Sequence, residues 1–289
     1  MNIAVLLALI TFFGWGIGDI FTVIATRRIG ANLTTFWVFL FSFILSLLIF
    51  PFVPHDFSLI TFPLLIFNIF LGILYVSGNV LISEAFRISS APLVGIIIQA
   101  WPAVVLILSA LIFKDIVTST QAIFIIIIFL GVFLCSVDIK KLLHSEKIID
   151  KGVTLALIAM VFLSIYFTFM RILINRYDWF LPNFIATGCF PVIYLFIKKR
   201  KEKLYFPKQT KIFFALFMVA LLIRSGDFAL NYGLFLPNAS SIVAPIAGAA
   251  PILFITMSYL VFKDKLTKQQ IVGIITTLIG IILLTSIGS

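Results

Sequence analysis

Apolar residues run along this chain in long unbroken stretches, separated by short clusters of charge, proline and polar side chains. Cutting at those clusters leaves ten stretches: 3–26, 33–53, 62–84, 91–113, 121–138, 152–174, 181–198, 211–235, 239–262 and 269–287. Each has roughly the 18–25 residues with which an α-helix crosses a bilayer core about 30 Å thick. Strands of a membrane barrel would alternate apolar and polar with period two, and runs such as Ile123 to Leu134 do not. Only a helix satisfies the backbone polar groups of such a run within the segment itself. The pattern therefore predicts an all-α integral membrane protein of ten transmembrane helices.

Composition removes the soluble alternatives. The 289 residues are 62% hydrophobic and 11% charged, against about 45–50% and 25% in soluble domains. A net charge of +10 would suggest nucleic acid for a soluble protein, but here the basic residues lie between apolar stretches and read as topology signals. The expected partners are the lipid bilayer and a small-molecule substrate, and no nucleic acid. The first stretch exceeds a signal-peptide core and is followed by Arg27-Arg28, so it reads as a retained span. Cys135 and Cys189 lie within apolar runs and read as small buried hydrophobes. His55 and His144 fall in connections on opposite sides of the membrane without ligand-type spacing. No Walker sequence and no nucleophile-elbow serine is present. Neither a metal, a cofactor nor an enzymatic activity is expected.

An internal repeat is the strongest signal. Val94 to Ser136 overlays Val243 to Thr285 at a constant offset of 149, matching Pro102/Pro251, Ser109/Ser258, Phe113-Lys114-Asp115/Phe262-Lys263-Asp264, Thr118/Thr267, Gln121/Gln270 and Gly131/Gly280. Upstream, Ser77-Gly78 matches Ser225-Gly226 at an offset of 148. The chain divides into a first five-helix repeat (1–138), a basic connecting loop (139–151) and a second five-helix repeat (152–289). Because five is odd, the second copy is inverted relative to the first. Two such copies about a pseudo-two-fold axis in the membrane plane, enclosing a central cavity, are the layout of an alternating-access carrier.

The Gly14-Trp15-Gly16 opening of the first span, the ten spans in two halves, and the Phe-Lys-Asp turns after the fourth and ninth spans resemble the EamA family of the drug/metabolite transporter superfamily. The resemblance covers almost the whole chain. It implies a basket of ten helices around a cavity, and small metabolites or amino acids as substrates, frequently exported.

Ionisable side chains within spans are costly unless they face a cavity or a partner. In the eighth span Arg224, Asp227 and Asn231 share one helical face, with Arg224 about 20 Å into the span by helical rise. The repeat pairs Asn79 with Asp227 and Ser83 with Asn231, on a third-span stripe that also holds Asn68, Gly72 and Tyr75. Thr11, Trp15, Asp19, Thr22 and Thr26 line one face of the first span, and their repeat counterpart at an offset of 149 is Ser164, Thr168, Arg171 and Asn175 in the sixth, Ser164 pairing with Trp15 and Thr168 with Asp19. Arg171, near its span end, is expected to snorkel. Gln99 and Trp101 precede Pro102 in the fourth span, and Ser240-Ser241, Pro245 and Pro251 mark the ninth. The paired Pro102 and Pro251 predict matched kinks, either hinges or fixed bends. Ala247 to Ala250 suit close helix packing. Tyr75, Tyr166 and Tyr232 either line the cavity or pack, Trp37 and Trp179 are interfacial anchors, and Glu84 with Arg87 makes a local pair.

The candidate substrate-binding residues are thus Trp15, Asp19, Tyr75, Asn79, Gln99, Trp101, Ser164, Thr168, Arg224, Asp227 and Asn231. Three readings of the charged ones stand side by side. Arg224 and Asp227 neutralise each other; or Arg224 binds an anionic group while Asp227 or Asp19 binds an ammonium; or Asp19 or Asp227 carries a proton whose release depends on occupancy. All but the first suit a secondary transporter of amino acids or similar metabolites. Sugars and nucleotide sugars remain open within transport, and a lipid-handling protein outside it, although that would need its polar cluster near the headgroups.

Lysine and arginine in the odd-numbered connections total 17, against 3 in the even-numbered ones, and the termini carry none. The charge bias puts the odd connections in the cytoplasm, both termini outside, and the protein in the cell membrane. The family resemblance implies cytoplasmic termini, so the two expectations diverge. A C-terminal reporter active only in the cytoplasm is expected to stay dark, and a signal from it would reverse the assignment.

Overall fold

The computed structural model describes residues 3–114, 116–136, 150–236, 243 and 246–287. Ten apolar helical segments are present among them: seven long enough to cross a membrane by length and composition, and three shorter ones. The first half holds α1 (Ile3–Ile29), α2 (Ala31–Ile49), α3 (Phe62–Ile88), the pair α4 (Ala91–Ile98) and α5 (Trp101–Phe113), and α6 (Ser119–Ser136). The second holds α7 (Lys151–Arg176), α8 (Leu181–Gly188) with α9 (Val192–Lys199), α10 (Thr210–Phe235), α11 (Ala250–Phe262) and α12 (Lys268–Ile287). Of the connecting loop, only residues 150 and 151 are among the described residues, and Ser240, Ser241, Pro245 and His144 lie outside them.

Three spans are interrupted among the described residues, the ninth by a turn at Ala249. The fourth breaks at Gln99 and Ala100, with Pro102 in the first turn of α5, and Pro251 occupies the same place in α11. Proline is tolerated there because its missing N–H has no intrahelical partner in any case. The seventh span, expected as one helix over 181–198, is also broken: α8 ends at Gly188 and α9 begins after Pro191. The span itself is as expected, Leu181–Lys199, and it breaks because a proline in the interior removes a backbone bond and clashes with the preceding turn.

The repeat signature has a local structural meaning. Lys114 and Lys263 both take left-handed conformations, with φ of 60° and 53°, where α5 and α11 end. A capping box then opens each following helix. The Thr118 amide donates to Gln121 Oε1 at 2.9 Å while the Gln121 amide donates to Thr118 Oγ1 at 3.3 Å. Thr267 and Gln270 repeat this at 2.9 and 3.2 Å. On the connection before α3, the Ser58 hydroxyl and amide both donate to Asp56, holding its carboxyl below the usual range.

Packing interleaves the halves. α1 lies along α10, and α7 lies along α3, so each half's first helix packs on the third span of the other. α6 packs on α12. Contacts across the chain sort the connections by side. Arg27 meets Asp264 at 2.7 Å and Arg200 meets Glu84 at 3.1 Å, joining odd-numbered connections or the helix ends beside them, whereas His55 meets Asp178 at 2.8 Å between even-numbered ones. Leu48, Leu111 and Leu195 are among the large apolar side chains exposed on the outside, as expected where the solvent is lipid.

The α6–α12 contact depends on glycine. A Cβ on Gly131 would fall on the backbone of Gly273 and Thr277, which cannot yield as a flexible side chain would. Gly131→Ala is expected to destabilise the bundle by about 1–3 kcal/mol, read as a lower unfolding midpoint in detergent. An unchanged midpoint would mean that these helices are free to separate.

Candidate functional site

A cavity of about 120 Å³ lies between the halves, walled by α1 to α5 from the first and α7 and α10 from the second. Its lining follows α1 from Trp15 to Thr22, α3 from Tyr75 to Phe86, and α2 from Thr34 to Ser42. Those stretches lead from the middle of each helix toward the end that joins an odd-numbered connection. The cavity thus reaches from mid-bundle toward the basic side. The opposite end is filled with aromatic rings: Phe180 stacks on Phe228 and Phe184, and Trp179 meets Tyr232. His55, against Phe50 and Phe180, pairs with Asp178 there. Asp178 also accepts the Phe180 and Leu181 amides at 2.6 Å, which caps α8.

Eight of the eleven expected binding residues line the cavity: Trp15, Asp19, Tyr75, Asn79, Gln99, Trp101, Arg224 and Asp227. The other three do not. Ser164 donates to the Met160 carbonyl at 2.7 Å and to the Trp101 carbonyl at 3.3 Å, and Thr168 donates to Ser164 at 2.6 Å. A hydroxyl in a helix can satisfy itself on the preceding turn, and these two, fully buried, do so. Asn231 points to the closed end, donating to the Trp179 carbonyl at 3.5 Å.

Arg224 and Asp227 form a buried pair at 3.2 Å, their side chains 4% and 11% exposed. Trp15 Nε1 donates to Asp227 Oδ1 at 2.9 Å, and Arg224 donates to Asn183 Oδ1 from α8. Asn183 was not among the expected site residues. Its only sequence signal is an amide inside an apolar run directly after Pro182. Tyr75 lines the cavity beside the pair and stacks on Tyr166, ring centroids 4.4 Å apart. Asp19 lies in the same cavity wall as Asp227.

The remaining expectations resolve individually. Arg171 sits over the Phe113 ring at 3.7 Å at the span end. Glu84 pairs with Arg87 as expected but also with Arg200 of the other half. Trp37 donates to the Tyr205 carbonyl. Cys135 is buried and Cys189 half-buried, both free thiols. Among the described residues no group of three or more histidine, cysteine or acidic side chains could hold a metal ion.

A multi-pass membrane protein with two inverted halves around a shared polar cavity is the class that this fold defines. The EamA-like transporter family matches residues 2–137 and again 150–286, and the chain belongs to that family. It is a membrane transporter and not an enzyme. An uncharacterized protein of Methanocaldococcus jannaschii is 28% identical over 139 residues, which are 47% of this chain and 97% of that one. The archaeal protein is therefore about as long as one half. A solved crystal structure of a protein superimposes with a TM-score of 0.66 at 12% identity, covering 97% of this chain and 95% of the other, a likeness of fold.

Removing one partner of a buried ion pair leaves an uncompensated charge and costs about 3–5 kcal/mol. Arg224→Met is therefore expected to lower stability more than Arg224→Met combined with Asp227→Leu, measured by denaturant unfolding in detergent. Additive losses would show that the pair is not coupled.

Proposed function

We propose that the protein is a secondary transporter of small polar metabolites, amino acids foremost, and that it exports them across the cell membrane. Its two halves, 1–138 and 152–289, alternate access to the cavity, with the breaks before Pro102 and Pro251 as the flexible points. The observation that carries this reading is a cavity walled by both halves that holds Asp19, Arg224 and Asp227 at mid-depth and is filled with aromatic rings on one side only. With the odd-numbered connections in the cytoplasm, the cavity faces inward, the loading state of an exporter.

Size favours a small substrate. A water-sized group takes about 10–15 Å³ by this measure, so about ten non-hydrogen atoms fit in 120 Å³. That is the scale of an amino acid, and a nucleotide sugar is several times larger. Asp227 is held by Trp15 and Arg224, which leaves Asp19 as the carboxylate available to exchange a proton.

Uptake of a labelled amino-acid mixture into proteoliposomes tests the reading. Uptake above empty vesicles is expected, stimulated by an imposed proton gradient, with the stimulation lost in Asp19→Asn. Uptake indistinguishable from empty vesicles, with and without the gradient, would overturn amino acids as the substrate class.

A further inference from the structure

The cavity's charges do not balance. Among the described residues lining it, only Asp19, Arg224 and Asp227 carry formal charge, and two of these face each other at 3.2 Å. Arg224 is already engaged with the protein through Nη1, which donates to Asn183 and faces Asp227, while its buried Nε has no hydrogen-bond partner. A side chain 4% exposed has almost no surface left to offer a carboxylate. Asp227 is closed in the same way, one oxygen taken by Trp15 and the other buried against Arg224. Asp19, half-buried at the wall, carries no hydrogen bond among the described residues. One negative charge is thus left without a partner in the cavity, and a buried carboxylate is stabilised there by taking up a cation or a proton.

The walls around it suit such a cation. Trp101 and Phe167 stack at 4.3 Å, and Trp15, Phe39 and Tyr75 bring further rings to the lining. Aromatic faces attract ammonium groups and accept an apolar body. The neutral polar groups, Gln99 and Asn79, add hydrogen-bonding capacity without charge.

We propose that the cavity recognises a monocationic amine with an apolar body: Asp19 holds the ammonium, the aromatic walls hold the body, and Arg224 is a structural partner of Asp227 that binds no carboxylate. The inference rests on the reading of this cavity as the substrate site and narrows its ligand from amino acids to the amine they share. A substrate carboxylate is tolerated at most and is never the determinant.

Calorimetric titration of the purified protein with three matched probes tests this: phenethylamine, phenylalanine and 3-phenylpropionate. The amine is expected to bind at least about tenfold more tightly than the amino acid, the scale of one charge-assisted hydrogen bond, and the acid not at all. Asp19→Asn should abolish amine binding, and Asp19→Glu should restore part of it, which separates charge from misfolding. Equal or tighter binding of phenylalanine or phenylpropionate, or amine binding that survives Asp19→Asn, overturns the proposal. The two readings fail separately. Amino-acid uptake in proteoliposomes that phenethylamine does not compete with sinks the amine site and leaves the transporter. Asp19-dependent amine binding without transport of amine or amino acid supports the site and sinks the transport reading.

Discussion

A guanidinium in the middle of a bilayer is tolerable only if its charge and its donors are met within the protein, and the centre of this fold is arranged around that requirement. Arg224 is answered by Asp227 one turn on and by Asn183 from α8, while Asp227 is answered by Trp15 from α1. Three spans are therefore tied at one depth: α1 of the first half, through Trp15, and α8 and α10 of the second. Because the two charges meet each other within the protein, the pair shapes the cavity without filling it. Asp19, in the same cavity wall, is the carboxylate that the pair leaves unengaged.

The same crossing explains the architecture. α1 approaches α10 closely enough that a Cβ on Gly14 would meet the Leu222 carbonyl. The inverted copy repeats the arrangement with α7 on α3. Neither half closes on itself, since each contributes its first helix to the other's third span. A relative about half as long as this chain is consistent with the half as the unit from which the bundle is built. Two copies that complete each other in this way must share the cavity between them.

The spans were legible because lipid as solvent makes hydropathy nearly sufficient, and the repeat because its matches fall on residues with fixed backbone duties. Thr118, Gln121, Thr267 and Gln270 are capping boxes, and Lys114 and Lys263 are left-handed helix ends, so their identity is set locally. What stayed hidden was settled by neighbours distant in sequence. Ser164 and Thr168 share a helical face with the expected stripe, but a face does not say whether its hydroxyls look into a cavity or back to their own carbonyls. Asn183 was visible only as an amide in an apolar run, and its partner lies 41 residues away. The His55–Asp178 contact joins two connections 123 residues apart, which no spacing rule reaches.

The two halves also depart from symmetry where sequence, not conformation, sets the difference. Pro191 breaks the seventh span, and the positions matching it at the 149- and 148-residue offsets, Ser42 and Phe43, lie inside the continuous α2. Ser42 lines the cavity, whereas α8 carries Asn183 and Phe184, the groups that hold Arg224 and fill the closed end. An inverted repeat with identical copies could exchange states by exchanging the conformations of its halves. Here the break in the second half and the continuous helix in the first are written into the chain and cannot be exchanged. The closed side is built on a broken span bearing an aromatic plug and a capped helix start, while the cavity side is built on an unbroken helix lined with hydroxyls. Opening the aromatic side therefore requires breaking a different set of contacts from those at the basic side, where Arg27, Asp264 and the α4 amide of Ala91 meet. The two ends of this bundle are consequently unequal by construction.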